Sequence, residues 1–117
     1  MFGKKYELTL NRVHDTVLIR EGDEKLELRV DGDPMRMVAG LGQAQKKMQA
    51  LDKDSTDEET DGAARYFAQV IFGEAQAERL VEFYHNDAGC VISVCGKYFE
   101  SRLGKLITKA QKRAAGK

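Results

Sequence analysis

Apolar and polar residues alternate along the first thirty positions of the chain. A period of two places successive side chains on opposite faces of a strand, so one face is expected to be buried and the other to face water. Gly22-Asp23 suits a two-residue type II′ turn, because glycine tolerates the positive φ that this turn requires at its first central residue. His14-Asp15 is expected to form the preceding turn. The predicted strands are residues 6–10, 17–20 and 26–30, in a small antiparallel sheet that leaves at least one edge open.

At Asp33-Pro34 the pattern changes to the three- and four-residue spacing of an amphipathic helix. Aspartate is a favourable N-cap, and proline fits the first helical position, where its missing N–H costs no hydrogen bond. We predict this helix over residues 34–51. Gly40 and Gly42 each weaken it by about 1 kcal/mol relative to alanine. They also permit another backbone to approach closely.

Residues 52–61 carry six carboxylates and are predicted to form an acidic linker between two helices. Ser55 with Glu58, or Thr56 with Glu59, would supply a capping box for the next helix. The other acids favour the positive end of that helix dipole. A calcium-binding loop is excluded, because the glycine and the twelfth-position glutamate of an EF-hand are absent.

Helical spacing continues to the end of the chain. A helix over 58–72 is predicted to end at Gly73 in the left-handed conformation, and a shorter helix over 74–85 follows. Asp87 is placed to cap the last and longest helix, residues 88–114. No strand is expected beyond residue 55. The residues expected to be buried in the helical body are Phe67, Ile71, Leu80, Ile92, Phe99 and Leu103.

These elements predict one α+β domain over residues 1–117, with a small antiparallel β-hairpin region at 1–33 and a body of about four helices at 34–117. The length of 117 residues suits a single domain. A composition of 42% hydrophobic and 32% charged residues is typical of a folded rather than a disordered chain. The sequence has neither an apolar run long enough to span a membrane nor an apolar signal core, so a cytoplasmic location is expected.

Charge is balanced over the whole chain, with 19 basic and 19 acidic residues, but it is unevenly distributed. The last sixteen residues carry six cations and no acid. Such a basic end complements the helix dipole and favours solubility. It also suits contact with an acidic protein, with the acidic linker of a neighbouring subunit, or with nucleic acid or a membrane. Aromatic residues do not interleave with the cations and large apolar residues are few, which disfavours single-strand binding and membrane anchoring.

Residues able to act in catalysis or metal binding form no recognisable arrangement in the sequence. Cys90 and Cys95 are separated by about 140° on a helix, so they cannot bridge within it, and both are expected to be small buried side chains. Neither His14 nor His85 lies at zinc-ligand spacing. The sequence contains no nucleophile with a base, no phosphate-binding glycine loop and no paired carboxylates of recognisable spacing. We therefore predict a non-enzymatic protein without a metal or cofactor.

One helix is predicted to end in Phe-Gly and to be followed by a short acidic and apolar helix at residues 77–84. The segment that carries this loose motif is Tyr66-Phe67-Ala68-Gln69-Val70-Ile71-Phe72-Gly73-Glu74. Together with the order of elements, it resembles the tail assembly chaperones of siphophages and related prophages. The resemblance covers about residues 15–107, and both Gly40-Leu41-Gly42 and the Lys/Arg-rich C-terminus depart from the family pattern.

The resemblance implies a protein that accompanies the tape-measure protein in the host cytoplasm before the tail tube polymerises, and that self-associates. It implies no catalytic residues. The expected partners are a tape-measure or tail-tube protein and further copies of the chain. The alternative is a small nucleic-acid-binding or regulatory protein that uses the basic C-terminal helix, although the balanced charge argues against it. The last helix has excess apolar surface in its first half and a basic flank beyond it. The candidate partner-contact residues are Val91, Val94, Tyr98, Arg102, Lys105 and Lys109.

Overall fold

The structure, a computed structural model, describes residues 12–115 of the chain. This part consists of a β-hairpin followed by helices. The continuous helix at its end contains a five-residue π-helical turn. The predicted α+β class, an N-terminal antiparallel hairpin followed by four helical rods, is confirmed. No strand follows the hairpin within the described residues. The elements are β1 (Val13–Glu21), β2 (Glu24–Gly32), α1 (Pro34–Gln49), α2 (Asp57–Phe72), α3 (Glu74–Phe83), α4 (Ala88–Tyr98), the π-turn (Phe99–Leu103) and α5 (Gly104–Ala115).

The hairpin turn forms at Gly22-Asp23 as predicted, and Gly22 has the positive φ, 61°, that glycine permits. The predicted turn at His14-Asp15 is wrong, because both residues lie within β1. His14 is exposed to solvent on the strand, whereas the mostly buried Asp15 is satisfied by partners from elsewhere in the fold. His14 Nδ1 lies 2.9 Å from the Asp31 carboxylate across the hairpin, and Asp15 binds the C-terminal helix. The predicted strand at 6–10 lies outside the described residues.

Side-chain caps determine where α1 and α2 begin. The carboxylate of Asp33 accepts the backbone N–H of Met35 at 2.9 Å, which confirms the predicted N-cap. Thr56 and Glu59 accept each other's backbone N–H groups at 3.1 Å, so this pair forms the capping box. The acidic segment is therefore a shorter linker than predicted, because three of the acids within 52–61 occupy the first turn of α2.

The later helices depart from the prediction in two places. Gly73 ends α2 with φ 85° but ψ 163°, which lies outside the left-handed helical region, and the same residue begins α3. The predicted helix 88–114 is interrupted by the π-turn, where the N–H of Gly104 binds the carbonyl of Phe99, five residues earlier. This bond spans one residue more than in an α-helix, and a prediction based on 3.6 residues per turn does not include such a turn. Asp87 caps the helix as predicted.

The core lies where α2 meets the hairpin, α3 and α4. Phe67 and Ile71 of α2, with Leu80 of α3 and Leu103 of the π-turn, are buried as predicted. The predictions for Ile92 and Phe99 were wrong, because both side chains are only partly buried. These two side chains border a groove rather than the core. The largest side chains that are almost completely buried are Val13, Leu28, Val30, Leu80, Val91 and Leu103.

Gln76 of α3 fastens the hairpin to the helices. Its carboxamide oxygen accepts the backbone N–H of Arg29 at 2.7 Å, and its Nε2 donates to the Arg29 carbonyl at 2.6 Å. The same Nε2 donates to the carbonyl of Phe72 at 2.8 Å. The side chain thus satisfies one residue of the β2 edge much as a neighbouring strand would, which fixes the hairpin over α2 and α3.

Candidate protein-binding groove

An apolar groove with a volume of about 510 Å³ lies between α1 and the continuous helix formed by α4, the π-turn and α5. Phe67 of α2 contributes to its floor. Gln45 and Glu100 are the polar side chains of its lining. Most of the apolar side chains on its two walls are only partly buried, so the described part of the chain leaves apolar surface open here. The apolar wall residues are Val38, Leu41, Met48, Ile92, Phe99 and Ile107.

Two glycines, one on each wall, keep this groove wide. A Cβ placed on Gly42 or on Gly96 would meet no side chain or neighbouring element within 4 Å. Gly40 differs from them, because a Cβ there would lie 3.0 Å from the methyl groups of Val70 on α2. Gly40 therefore lets α1 lie close to α2, whereas Gly42 and Gly96 border open space. Because both glycines line the groove, a larger side chain at either position would project into it.

The π-turn shapes the second wall of the groove. A Cβ on Gly104 would lie 3.1 Å from the carbonyl oxygen of Phe99 and 3.2 Å from its ring. Residue 104 must therefore be small for the Phe99 ring to rest against the turn. The turn buries Leu103 completely and leaves Phe99 partly exposed in the groove. Single π-turns within α-helices are frequent at functional sites.

Asp15 ties β1 to the start of the π-turn. The phenol of Tyr98 donates a hydrogen bond to Asp15 Oδ2 at 2.7 Å. Arg102 donates from Nε and Nη2 to the two carboxylate oxygens at 2.9 and 3.1 Å. The hydrogen bonds from Arg102 lower the pKa of Asp15, although partial burial opposes this. Burial, followed by the hydrogen bond to the carboxylate, raises the pKa of Tyr98.

A row of lysines runs beside the groove on α5. Lys105, Lys109 and Lys112 are exposed and line a cleft of about 530 Å³ together with Gly104 and Thr108. The cleft shares Phe99 and Glu100 with the apolar groove, so the two surfaces are continuous. The three lysines recur at four and three residues, which places them along one side of the helix. We call them the basic rim.

The six candidate partner-contact residues lie in three different environments. Val91 is 1% exposed and belongs to the core, so its apolar surface is used within the chain. Val94 is partly buried against that core, and Tyr98 and Arg102 hold Asp15. Lys105 and Lys109 belong to the basic rim. None of the six lies in the lining of the apolar groove.

The sequence did not indicate the groove, because spacing shows which face of α1 is apolar and not how fully that face is covered. Val38, Leu41 and Met48 have the helical spacing of core residues, and partial burial cannot be distinguished from full burial by spacing alone. The glycines were the available signal, since Gly42 weakens α1 without closely approaching another element. The link from Asp15 to Tyr98 and Arg102 had no local signal, because the partners are 83 and 87 positions apart.

Within residues 12–115, no group of three His, Cys, Asp or Glu side chains is placed to hold a metal ion. Cys95 is buried, and desolvation raises its pKa to about 12. Cys90 is partly rather than fully buried, contrary to the prediction, and its pKa is also raised, chiefly by desolvation. Both thiols are therefore protonated at neutral pH and weakly nucleophilic.

Between residues 12 and 115, no helix is both long and apolar enough to cross a membrane. Comparisons of the chain with protein-family models, with curated proteins and with solved structures found no match.

Proposed function

We propose that this protein is a non-enzymatic assembly protein that binds a segment of another protein in the apolar groove. The observation that carries the proposal is the open, largely apolar surface between α1 and the C-terminal helix. Apolar grooves between helices are a recurring kind of site for a segment of a partner protein, because filling them removes apolar surface from water. On α1 the groove extends from Val38 to Met48, which is about 15 Å of helix.

The specific form of this proposal is a tail assembly chaperone that binds a tape-measure or tail-tube protein and self-associates in the host cytoplasm. It rests on the resemblance of the Phe72-Gly73-Glu74 segment and of the element order to that family. Self-association would use the acids near the start of α2 and the basic rim of a second copy, because these surfaces carry opposite charge. The apolar groove would stay open in such an assembly, and a partner that also contacts the basic rim would compete with this self-association.

A second candidate function is nucleic-acid binding through the C-terminal helix. The observation in its favour is the exposed basic rim, because three cations along one face can neutralise phosphates. The cleft beside the rim contains one aromatic residue, Phe99, so it offers little surface for stacking bases. We rank this function below protein binding.

The experiment that tests the proposed function is a binding assay with the tape-measure protein encoded in the same genome. Purified chain is titrated against that protein, and three leucine variants are compared with the wild type. Gly42→Leu and Gly96→Leu fill the groove from opposite walls, whereas Gly62→Leu places the same side chain at an exposed position on α2. We expect the two groove variants to bind at least tenfold more weakly and Gly62→Leu to bind normally. Equal binding by all four proteins, or no binding by the wild type, would contradict the proposal.

A further inference from the structure

The groove and the basic rim together define the chemistry of the segment that binds there. We propose that the groove takes an amphipathic helix of a different protein, with its apolar stripe in the groove and a row of carboxylates facing the basic rim. This inference rests on the proposed function, and it adds the secondary structure and the charge pattern of the partner segment.

Backbone hydrogen bonding favours a helix over an extended segment. The groove walls are helices, whose backbone groups are bonded within the helix apart from those at the ends. An extended segment buried against such walls would leave its N–H and C=O groups without partners, which is costly. A helix satisfies these groups internally and presents apolar residues at the spacing of the groove. The polar groove residues Gln45 and Glu100 are too few to pair with a strand.

The arrangement of charge selects carboxylates on one flank of that helix. Lys105 and Lys112 are separated by seven residues, so the rim extends over about two helical turns, or roughly 10 Å. Carboxylates spaced by three or four residues on a partner helix would face the same length. Lysine side chains are long enough to follow a partner while their ammonium groups stay in water. Glu100 is the single acid of the cleft and lies where it joins the groove, so the rim keeps a net positive charge.

The part of a second copy that the structure describes is a poor occupant of the groove. Among residues 12–115, the large apolar side chains that are well exposed are Leu18 and Met35, on β1 and α1 respectively. Two isolated side chains on different elements do not form a helical stripe of the kind that binds such grooves. The apolar faces of α2 and α3 are already buried in the core. Residues 12–115 thus supply no such stripe, and the basic rim suits an acidic flank, so we assign the occupant to another protein.

The inference is tested with two synthetic helices of about 18 residues, stapled so that each is helical alone. They share one leucine stripe and differ in one flank, which carries glutamates in the first and lysines in the second. Fluorescence anisotropy at low salt, about 0.05 M, where such charges are weakly screened, gives Kd for each helix. We expect the wild type to bind the glutamate helix at least tenfold more tightly than the lysine helix.

Variants of the protein test whether the basic rim causes the preference for the glutamate helix and whether the groove binds the helices. Lys105→Glu/Lys109→Glu is expected to abolish or reverse the preference, whereas Lys25→Glu/Lys53→Glu reverses two exposed charges elsewhere and should retain it. Gly42→Leu should weaken the binding of both synthetic helices, whereas Gly62→Leu should leave the binding of both unchanged. Equal binding of the two helices by the wild type, or a preference unchanged by reversal of the rim, would overturn this inference. Such a result would not decide the proposed function, which the separate assay with the tape-measure protein tests. Absence of binding by both helices to the folded wild type would also overturn the inference.

Discussion

On the hairpin side of the helical body, Leu28 and Val30 are 0% and 1% exposed, whereas on the groove side Leu41 and Met48 remain partly exposed. Residues of the same chemical kind thus contribute differently to the fold. The hairpin covers its side of the core and is held there by Gln76 and Asp15. The groove has no such cover among the described residues. Apolar residues on the first side are fully used within the fold, whereas those on the second keep part of their surface open, which the proposed partner would cover.

The largest expected effect comes from truncating leucines on the two sides. Leu80→Ala removes a completely buried side chain and should lower the free energy of unfolding by about 3–5 kcal/mol. Leu41→Ala should lower it by about 1 kcal/mol, because water already reaches part of that side chain. Urea denaturation of the two variants measures the difference. Equal losses would show that the groove side is as well packed as the core.

Phenylalanine truncations extend the same comparison. Phe67→Ala should lower the free energy of unfolding by about 3–5 kcal/mol, because this side chain is buried in the core as well as lining the groove floor. Phe99→Ala should cost less, since the ring is partly exposed and rests on the π-turn. Thermal melts of both variants test the order. A larger effect at Phe99 would place it among the principal core residues.

The Asp15 link should contribute an intermediate and pH-dependent amount. Asp15→Asn removes the charge that Arg102 binds and should cost about 1–3 kcal/mol at neutral pH. The pKa of Asp15 is lower in the folded protein than its ordinary value of 3.8, so the unfolded chain binds more protons between those two pH values. The stabilisation is therefore complete above the ordinary value and is lost as pH falls through the folded value.

This pH dependence is measured by urea denaturation of the wild type and of Asp15→Asn over an acid range. The two stabilities should converge as the pH falls below about 4. A constant difference at all pH values would show that the contribution of Asp15 does not depend on its charge. Arg102→Gln serves as the partner control and should weaken the same pH dependence, leaving the smaller part that the Tyr98 hydrogen bond contributes.

Two glycines in the C-terminal helix are expected to respond in opposite directions. Gly104→Ala brings a methyl group to about 3.1 Å from a backbone oxygen of the π-turn and should destabilise the protein by about 1 kcal/mol. Gly96→Ala meets open space within a helix and should stabilise it by up to about 1 kcal/mol. Thermal melts of the two variants measure both signs. If both stabilise the protein, the π-turn does not require a small residue at position 104.

The smallest effect on stability is expected at the basic rim. Lys105→Ala/Lys109→Ala should change the free energy of unfolding by no more than about 0.5 kcal/mol, because both side chains are exposed. Urea denaturation measures this change.

The wild type should bind double-stranded DNA only weakly. That binding should disappear near 0.15 M salt, because the gain from counterion release falls as salt rises. A sequence-specific, sub-micromolar complex at that salt would instead favour the nucleic-acid-binding function.

Local signals predicted the elements of the fold well. The change of period at Asp33-Pro34, the capping box of Thr56 and the Gly22 turn each depend on residues close in sequence, and each was visible there. The strand through His14-Asp15 was not, because Asp15 is satisfied there by Tyr98 and Arg102, which are distant in sequence. Local chemistry identifies caps and turns, whereas tertiary partners decide whether polar residues can lie within a strand.

The candidate site was predicted only in part. The basic rim followed directly from the sequence, because charge is read from composition. The groove could not be predicted, because it depends on the distance between α1 and the helices α4 and α5. The spacing of residues along one helix gives no information on that distance. The π-turn displaced the residues after Tyr98 from the angles that a regular helix gives. Its sequence signal, Gly104, is interpretable only beside the Phe99 ring.

The central claim, that the open side of the molecule is the binding side, is tested most directly by methyl NMR. Isotope-labelled protein is titrated with the synthetic glutamate-flanked helix, and methyl shifts are followed on both sides. We expect Val38, Leu41 and Ile92 in the groove to shift in proportion to occupancy, while Val13 and Leu28 beneath the hairpin stay in place. Shifts confined to the hairpin methyls, or shifts spread equally over both sets, would contradict the account.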